Sequence, residues 1–288
     1  MISKFRIGVL VIILNFFASV AMIWGQDNPS LLQMAVPSLN IAPDARGGGM
    51  GDMGAATLPD INSQYWNAAK YAFMGSKAGV SLSYTPWLRK LVNDVALVNM
   101  TGYYKLGNSD LQAISASLRY FSLGEVNIWE NIGDVPYGLN PYEMAFDVAY
   151  SRKLSESYSM AVTLRYIRSD MGTDQNDESN AGNAFSADIS GYLEKYVLMG
   201  NAEALWSFGF NLSNIGSKIS YDGGNTNQYL PAKLTLGTGL LYPIDDYNQI
   251  GVYLDLNKYM VPYAPQKEEG ETDADYQTRV DDYKSWSS

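Results

Sequence analysis

The stretch EMAFDVAYS, residues 143–151, decides the fold. Met144, Phe146, Val148 and Tyr150 fall on one side of an extended chain, while Glu143, Ala145, Asp147, Ala149 and Ser151 fall on the other. Successive side chains of a strand point to opposite faces, so this alternation reads as a β-strand with one greasy and one polar or small face. The pattern spreads in both directions. Upstream, Ile114, Ala116, Leu118 and Tyr120 oppose Ser115, Ser117 and Arg119; downstream, Met160, Val162, Leu164 and Tyr166 oppose Ala161, Thr163 and Arg165. Phe185, Ala187 and Ile189 oppose Ser186, Asp188 and Ser190, and similar segments run through Trp206–Leu212 and Ile250–Leu256. From about Ala78 onward roughly nine such segments follow one another, each near the ~10 residues that a tilted strand needs to cross a bilayer.

A soluble antiparallel sandwich also alternates, because one face of each sheet meets water. The connections separate the two readings. They run alternately short and long: tight near 107–110, 154–157, 199–202 and 243–247, long near 124–140, 170–183 and 214–228. Short turns at one end and long loops at the other are the pattern of a bacterial outer-membrane barrel. Tyr120 and Tyr166 fall near the long-loop ends of their strands and Tyr150 and Tyr242 near the short-turn ends, where interfacial aromatic girdles belong. The expected fold is therefore all-β, a transmembrane antiparallel β-barrel. Barrels of this type have an even strand number, so a count of nine with an acidic stretch at 262–288 reads as the front part of a longer barrel.

Composition narrows the chemistry. The 288 residues carry 20 basic and 30 acidic groups, a net charge of −10, which disfavours a nucleic-acid partner. Charged residues are only 17%, below the roughly 25% of soluble domains. There is no Cys and no His, which removes disulfides, Cys/His metal sites and Ser-His or Cys-His catalytic pairs. No catalytic, cofactor or metal site is expected, and the protein is not read as an enzyme. At the start, Lys4 and Arg6 precede the apolar run from Ile7 to Leu14 and the small residues Ala18, Ser19 and Ala21, which reads as a cleaved secretory signal. The expected organisation is a signal peptide at 1–25, a periplasmic or lumen N-terminal segment at 26–77, and a barrel over 78–288 that is cut short at its C-terminus.

Ahead of the first strand lies a glycine-rich stretch with Gly47, Gly48, Gly49, Gly51 and Gly54, followed by Ser63 to Tyr71 with Tyr65 and Trp66. No Lys-Ser/Thr follows the glycines, so a phosphate loop is rejected. The glycines instead suit backbone passing closely through a confined space such as a barrel lumen, and Ser63 to Tyr71 suits a short helix turning Tyr65 and Trp66 inward. The runs PSLNIAPDARGGGMGDMGAATLPD and SQYWNAAKYAF, with FGFNLSNIGSKISYD and YLPAKLTLGTGLLYP further on, resemble the PorV (LptO) family of the type IX secretion system of Bacteroidota, itself similar in fold to the FadL long-chain fatty-acid transporters. One departure stands out: the family commonly reads Trp-Asn-Pro-Ala where this chain has Trp66-Asn67-Ala68-Ala69, which removes a rigid turn residue.

The resemblance implies a FadL-like barrel of fourteen strands in the full protein and an N-terminal segment entering its lumen, with Asp44, Arg46, Gly49, Gly51, Trp66 and Asn67 as the lumen motif. It implies a cell outer-membrane location, contact with outer-membrane lipid, and three kinds of protein partner: the translocon, the surface sortase or attachment complex, and secreted cargo bearing a C-terminal signal domain. The residues themselves add that the loop from Gly124 to Tyr142 is rich in apolar groups, from which Trp129, Tyr137, Ile128 and Tyr142 are the expected partner-binding residues. A FadL-like channel for hydrophobic compounds is the alternative. The inward faces weigh against it, because Asp147, Arg165, Asp188, Lys233 and Asp255 are more polar than a fatty-acid path favours. A lipid hydrolase, suggested by the family's second name, lacks the usual Ser-His dyad.

Overall fold

The computed structural model describes residues 32–87, 89, 90, 92, 94–107, 110–128, 136–172, 181–200, 202–222, 227–268 and 270–285, so the signal segment lies outside the described residues. Nine strands form one antiparallel sheet: β1 (Ala78–Pro86), β2 (Val95–Leu106), β3 (Gln112–Leu123), β6 (Tyr142–Lys153), β7 (Tyr158–Asp170), β8 (Gly182–Met199), β9 (Ala202–Gly216), β10 (Lys233–Pro243) and β11 (Gln249–Tyr259). Each pairs with its neighbours in chain order, which is an up-and-down meander with β1 and β11 at the two edges. A separate hairpin of β4 (Val126–Ile128) and β5 (Tyr137–Leu139) rises from the connection between β3 and β6. No helix among the described residues is long and apolar enough to cross a membrane, which leaves the strands as the elements that could.

The register places like residues side by side. Leu118, Phe146, Tyr166 and Phe185 form one row across β3, β6, β7 and β8. These side chains point away from the packed interior, and Phe146, Leu164 and Phe185 remain 45%, 66% and 68% exposed. An apolar belt of this extent is foreign to the surface of soluble monomers and is what lipid requires of a barrel wall. The opposite face holds Ser115, Ser117, Asp147, Thr163, Arg165, Asp188 and Ser190, all buried.

They are buried because residues 33–77 pack against that face. This segment makes hydrogen bonds to eight of the nine strands, from Ser83 on β1 to Asp255 on β11. One short segment can reach both edge strands only if the sheet curls around it. The expected lumen segment is therefore a plug, and the wall is built on it.

Beyond the wall the acidic stretch is not a simple loop. Tyr263–Ser285 belongs to a second compact unit, in which Asp273–Ser285 is a thirteen-residue helix. Arg279 anchors it by ion pairs to Glu271 at 2.6 Å and Glu268 at 3.2 Å. Acidic residues in the first turn, Asp273 and Asp275, favour the helix through its N-terminal partial charge.

Candidate functional site: the plugged lumen

The plug enters at the long-loop end and leaves at the short-turn end. The amide of Ala35 donates to the carbonyl of Tyr229 in the long connection before β10. Val36 takes a left-handed conformation, φ 51°, and is fully buried; this costly geometry for a β-branched residue turns the chain into the 3₁₀ turn Pro37–Asn40. Arg119 of β3 holds that turn, donating to the carbonyls of Ser38 (2.7 Å) and Ile41 (3.1 Å) while its guanidinium lies over the Tyr65 ring. The Ser38 amide donates to Glu143 of β6.

The next residues build a cradle for one indole. Asp44 caps the short helix Ala45–Gly49 by accepting from the Gly47 amide, and its other oxygen accepts from Trp66 Nε1 at 2.8 Å. Gly47 and Gly54 line the ring so closely that a β-carbon at either would lie 2.3 or 2.2 Å from Trp66 atoms. Asn67 follows the helix Ser63–Trp66 and donates to the carbonyls of Ala55 and of Gly191 on β8. It also accepts from the Ala69 amide and so caps the turn Ala68–Phe73. Lys70 is fully buried, with Nζ donating to the carbonyl of Gly54 and to Thr57 Oγ1; burial lowers its pKa to about 8. Tyr71 stacks on Tyr103 of β2, and burial pushes its hydroxyl up. The plug ends where Lys105 of β2 donates to the carbonyl of Met74.

Against the wall the plug meets a charge cluster. Arg165 of β7 bridges Asp147 of β6 (3.2 Å) and Asp188 of β8 (2.8 Å), with each side chain no more than 7% exposed. Gln64 of the plug and Ser117 of β3 donate to the free oxygen of Asp147. A bulge in β9 turns Asn214, at φ 58°, toward the same cluster, where its amide donates to Asp188 and its side-chain oxygen accepts from Arg165. Two carboxylates, one guanidinium and neutral donors thus satisfy one another, which is the condition for burying charge. Beside the cluster a polar cavity of about 40 Å³ is lined by Arg119, Asp147, Arg165, Asp188, Lys233 and Asp255, among others. That is room for roughly three waters.

Of the expected lumen motif, the structure brings Asp44, Trp66 and Asn67 together at the heart of the plug. Arg46 serves them from outside, paired with Asp60 at 2.5 Å and partly exposed. Gly49 and Gly51 do not serve close passage, since a β-carbon at either would meet open space; Gly51 is needed for its positive φ of 79°. Among the expected partner-binding residues, Ile128 and Tyr137 are register partners in the backbone of the β4–β5 hairpin, and Trp129 lies outside the described residues. Tyr142 is part of the wall instead of a loop: it opens β6, stacks on Tyr120 and accepts from Arg168 Nε. Sequence reasoning missed Lys70, Gln64 and the plug contacts of Arg119 and Glu143. The last two carried a signal, since both occupy inward positions of their strands. Lys70 and Gln64 lie in a segment without periodicity.

An apolar belt outside, a satisfied charge cluster inside, and a plug supplied by the chain's own N-terminal segment define a transmembrane barrel wall of the plugged kind. The profile of the family described as type IX secretion system protein PorV matches residues 25–267, and the chain belongs to that family. No curated protein matches the chain.

Proposed function

We propose that this protein is an outer-membrane component of type IX secretion that binds the C-terminal signal domains of secreted cargo at the translocon and carries them to the cell-surface sortase or attachment complex, without catalysis. Membership of the family supports the secretion role. The observation that carries the choice of mechanism is the interior. A channel for hydrophobic compounds needs an apolar path, whereas the concave face of this sheet is filled by the plug, and the cavity of about 40 Å³ left beside it has Arg119, Asp147, Arg165, Asp188, Lys233 and Asp255 in its lining along with apolar side chains. Binding then falls to the long-loop end, where the β4–β5 hairpin stands, and the apolar belt faces outer-membrane lipid.

Cells lacking the gene test this directly. Cargo should accumulate in the periplasm or on the translocon while long-chain fatty-acid uptake stays normal, and the detergent-solubilised protein should co-purify with translocon and attachment subunits. Normal surface cargo together with impaired fatty-acid uptake would reverse the assignment in favour of a channel.

A further inference from the structure

One turn of the plug, residues 54–57, is held by hydrogen bonds from both the wall and the rest of the plug. The amides of Gly54 and Ala55 both donate to Asp255 on β11, at 2.8 and 3.0 Å, from 201 and 200 positions away in the chain. The Gly54 carbonyl accepts from Lys70, the Ala55 carbonyl from Asn67, and the Ala56 carbonyl from Ser207 on β9 at 2.6 Å. Ala55 and Ala56 are 1% and 0% exposed.

The wall is cut to receive this turn. Gly209 of β9 and Gly237 of β10 are directly paired. A β-carbon at Gly209 would lie 1.9 Å from the Ala55 carbonyl oxygen, and one at Gly237 would lie 2.9 Å from the Ala55 β-carbon. Facing glycines inside a sheet weaken it, because they add chain entropy and remove cross-strand packing. Here that weakness is offset only while the turn fills the notch. At the neighbouring plug residues Gly48, Gly49 and Gly51, by contrast, a β-carbon would meet nothing within 4 Å.

We propose that residues 54–57 are a latch that keeps the plug seated through the working cycle, so that the lumen stays closed and never opens as a hatch. The latch stands on the packing alone. Its consequence, that cargo is handled at the long-loop end, rests on the secretion role proposed above.

Backbone amide exchange on the protein in lipid nanodiscs tests the latch without reference to cargo. The amides of Gly54 and Ala55 should exchange as slowly as those inside β9, and Asp255→Ala should speed them by about tenfold or more while β6–β8 stay unchanged. Exchange at the rate of the exposed turn at 244–248 in the wild-type protein would overturn the latch. A second arm uses the absence of cysteine from the chain: Ala56→Cys with Ser207→Cys leaves one possible disulfide. The oxidised protein should capture cargo as well as the reduced one. Capture lost on oxidation and restored by reductant would show that the plug must move, and would sink the proposal. No capture in any form, wild type included, would instead refute the secretion role and leave the latch to the exchange result.

Discussion

The two faces of β6, β7 and β8 are built from opposite materials. Within two residues of one another in register, Phe146, Leu164 and Phe185 look outward while Asp147, Arg165 and Asp188 look inward. In a soluble sheet the apolar set would be buried and the charged set exposed; here the charged residues are 5%, 7% and 4% exposed and the apolar ones 45%, 66% and 68%. The comparison teaches that burial and hydrophobicity are separate variables in this chain. The inner face is buried by a polar plug that satisfies it, and the outer face is left for a solvent that is itself apolar.

The comparison breaks most severely at its charged centre. Arg165→Met leaves Asp147 and Asp188 buried without their common partner, and removing one member of a buried ion network costs about 3–5 kcal/mol. The variant should lose its folded, heat-modifiable band on gels at a markedly lower temperature. Adding Asp147→Asn and Asp188→Asn to the same protein should recover much of that loss. A single Arg165→Met that melts like wild type would mean the cluster is hydrated and not closed.

Leu164 tests the other face. An arginine there costs about 2–4 kcal/mol if the position sits at the bilayer midplane, whereas an exposed substitution on a soluble surface changes stability within about 0.5 kcal/mol. Folding titrations into lipid vesicles should therefore show Leu164→Arg destabilised. An unchanged midpoint would argue that water covers this face.

Lys70 sharpens the contrast between burial and charge. Its pKa is about 8 in the folded chain against 10.5 for the free side chain. Below pH 8 the amine is charged in folded and unfolded chains alike, and the cost of burying that charge is carried in full. Between pH 8 and 10.5 the unfolded chain holds more protons, so stability rises with pH. Between pH 8 and pH 10 the Lys70 contribution should be about 2 kcal/mol, read as the difference from a variant lacking the amine because unfolded tyrosines also ionise near pH 10. Lys70→Met should flatten this rise relative to wild type in denaturant titrations at pH 8 and pH 10; parallel slopes would place the amine in water.

How far the sequence could be read follows from the same contrast. Strand order, the short and long connections and the inward carboxylates were all legible, because a period of two is imposed residue by residue by the two solvents. Asp147, Arg165 and Asp188 could be named as inward from parity alone, but their meeting in one cluster depends on strand register and on the Asn214 bulge, which alternation does not encode. The plug was legible only as a glycine- and aromatic-rich segment bound for a lumen. That Gly47 and Gly54 enclose Trp66 while Gly49 and Gly51 stand open depends on folded contacts, and glycine reads the same in either setting. Lys70 was invisible, since a lysine is ordinarily a surface residue and nothing local marks this one as buried. The helix Asp273–Ser285 was not legible, because no apolar periodicity marks it within the acidic stretch.

The smallest expected effect on the fold is also the one that asks most about function. The β4–β5 hairpin stands outside the hydrogen-bonded wall, so changes in it should leave the contrast between the two faces untouched. Trp129 and Tyr137 are the large aromatics in the sequence of the connection between β3 and β6, and such residues bury much area at low entropic cost and dominate interface energetics. Changing both to Ala should preserve membrane insertion and the heat-modifiable band. The same change should weaken cargo capture or docking to the attachment complex by about tenfold, equivalent to about 1.4 kcal/mol. Pull-down with immobilised cargo signal domain, run beside the gel assay on one preparation, separates the two outcomes. If the variant inserts normally and binds cargo at wild-type strength, the hairpin is only a cover for the mouth, and the partner surface lies on another long connection, with the segment 217–232 before β10 the next to test.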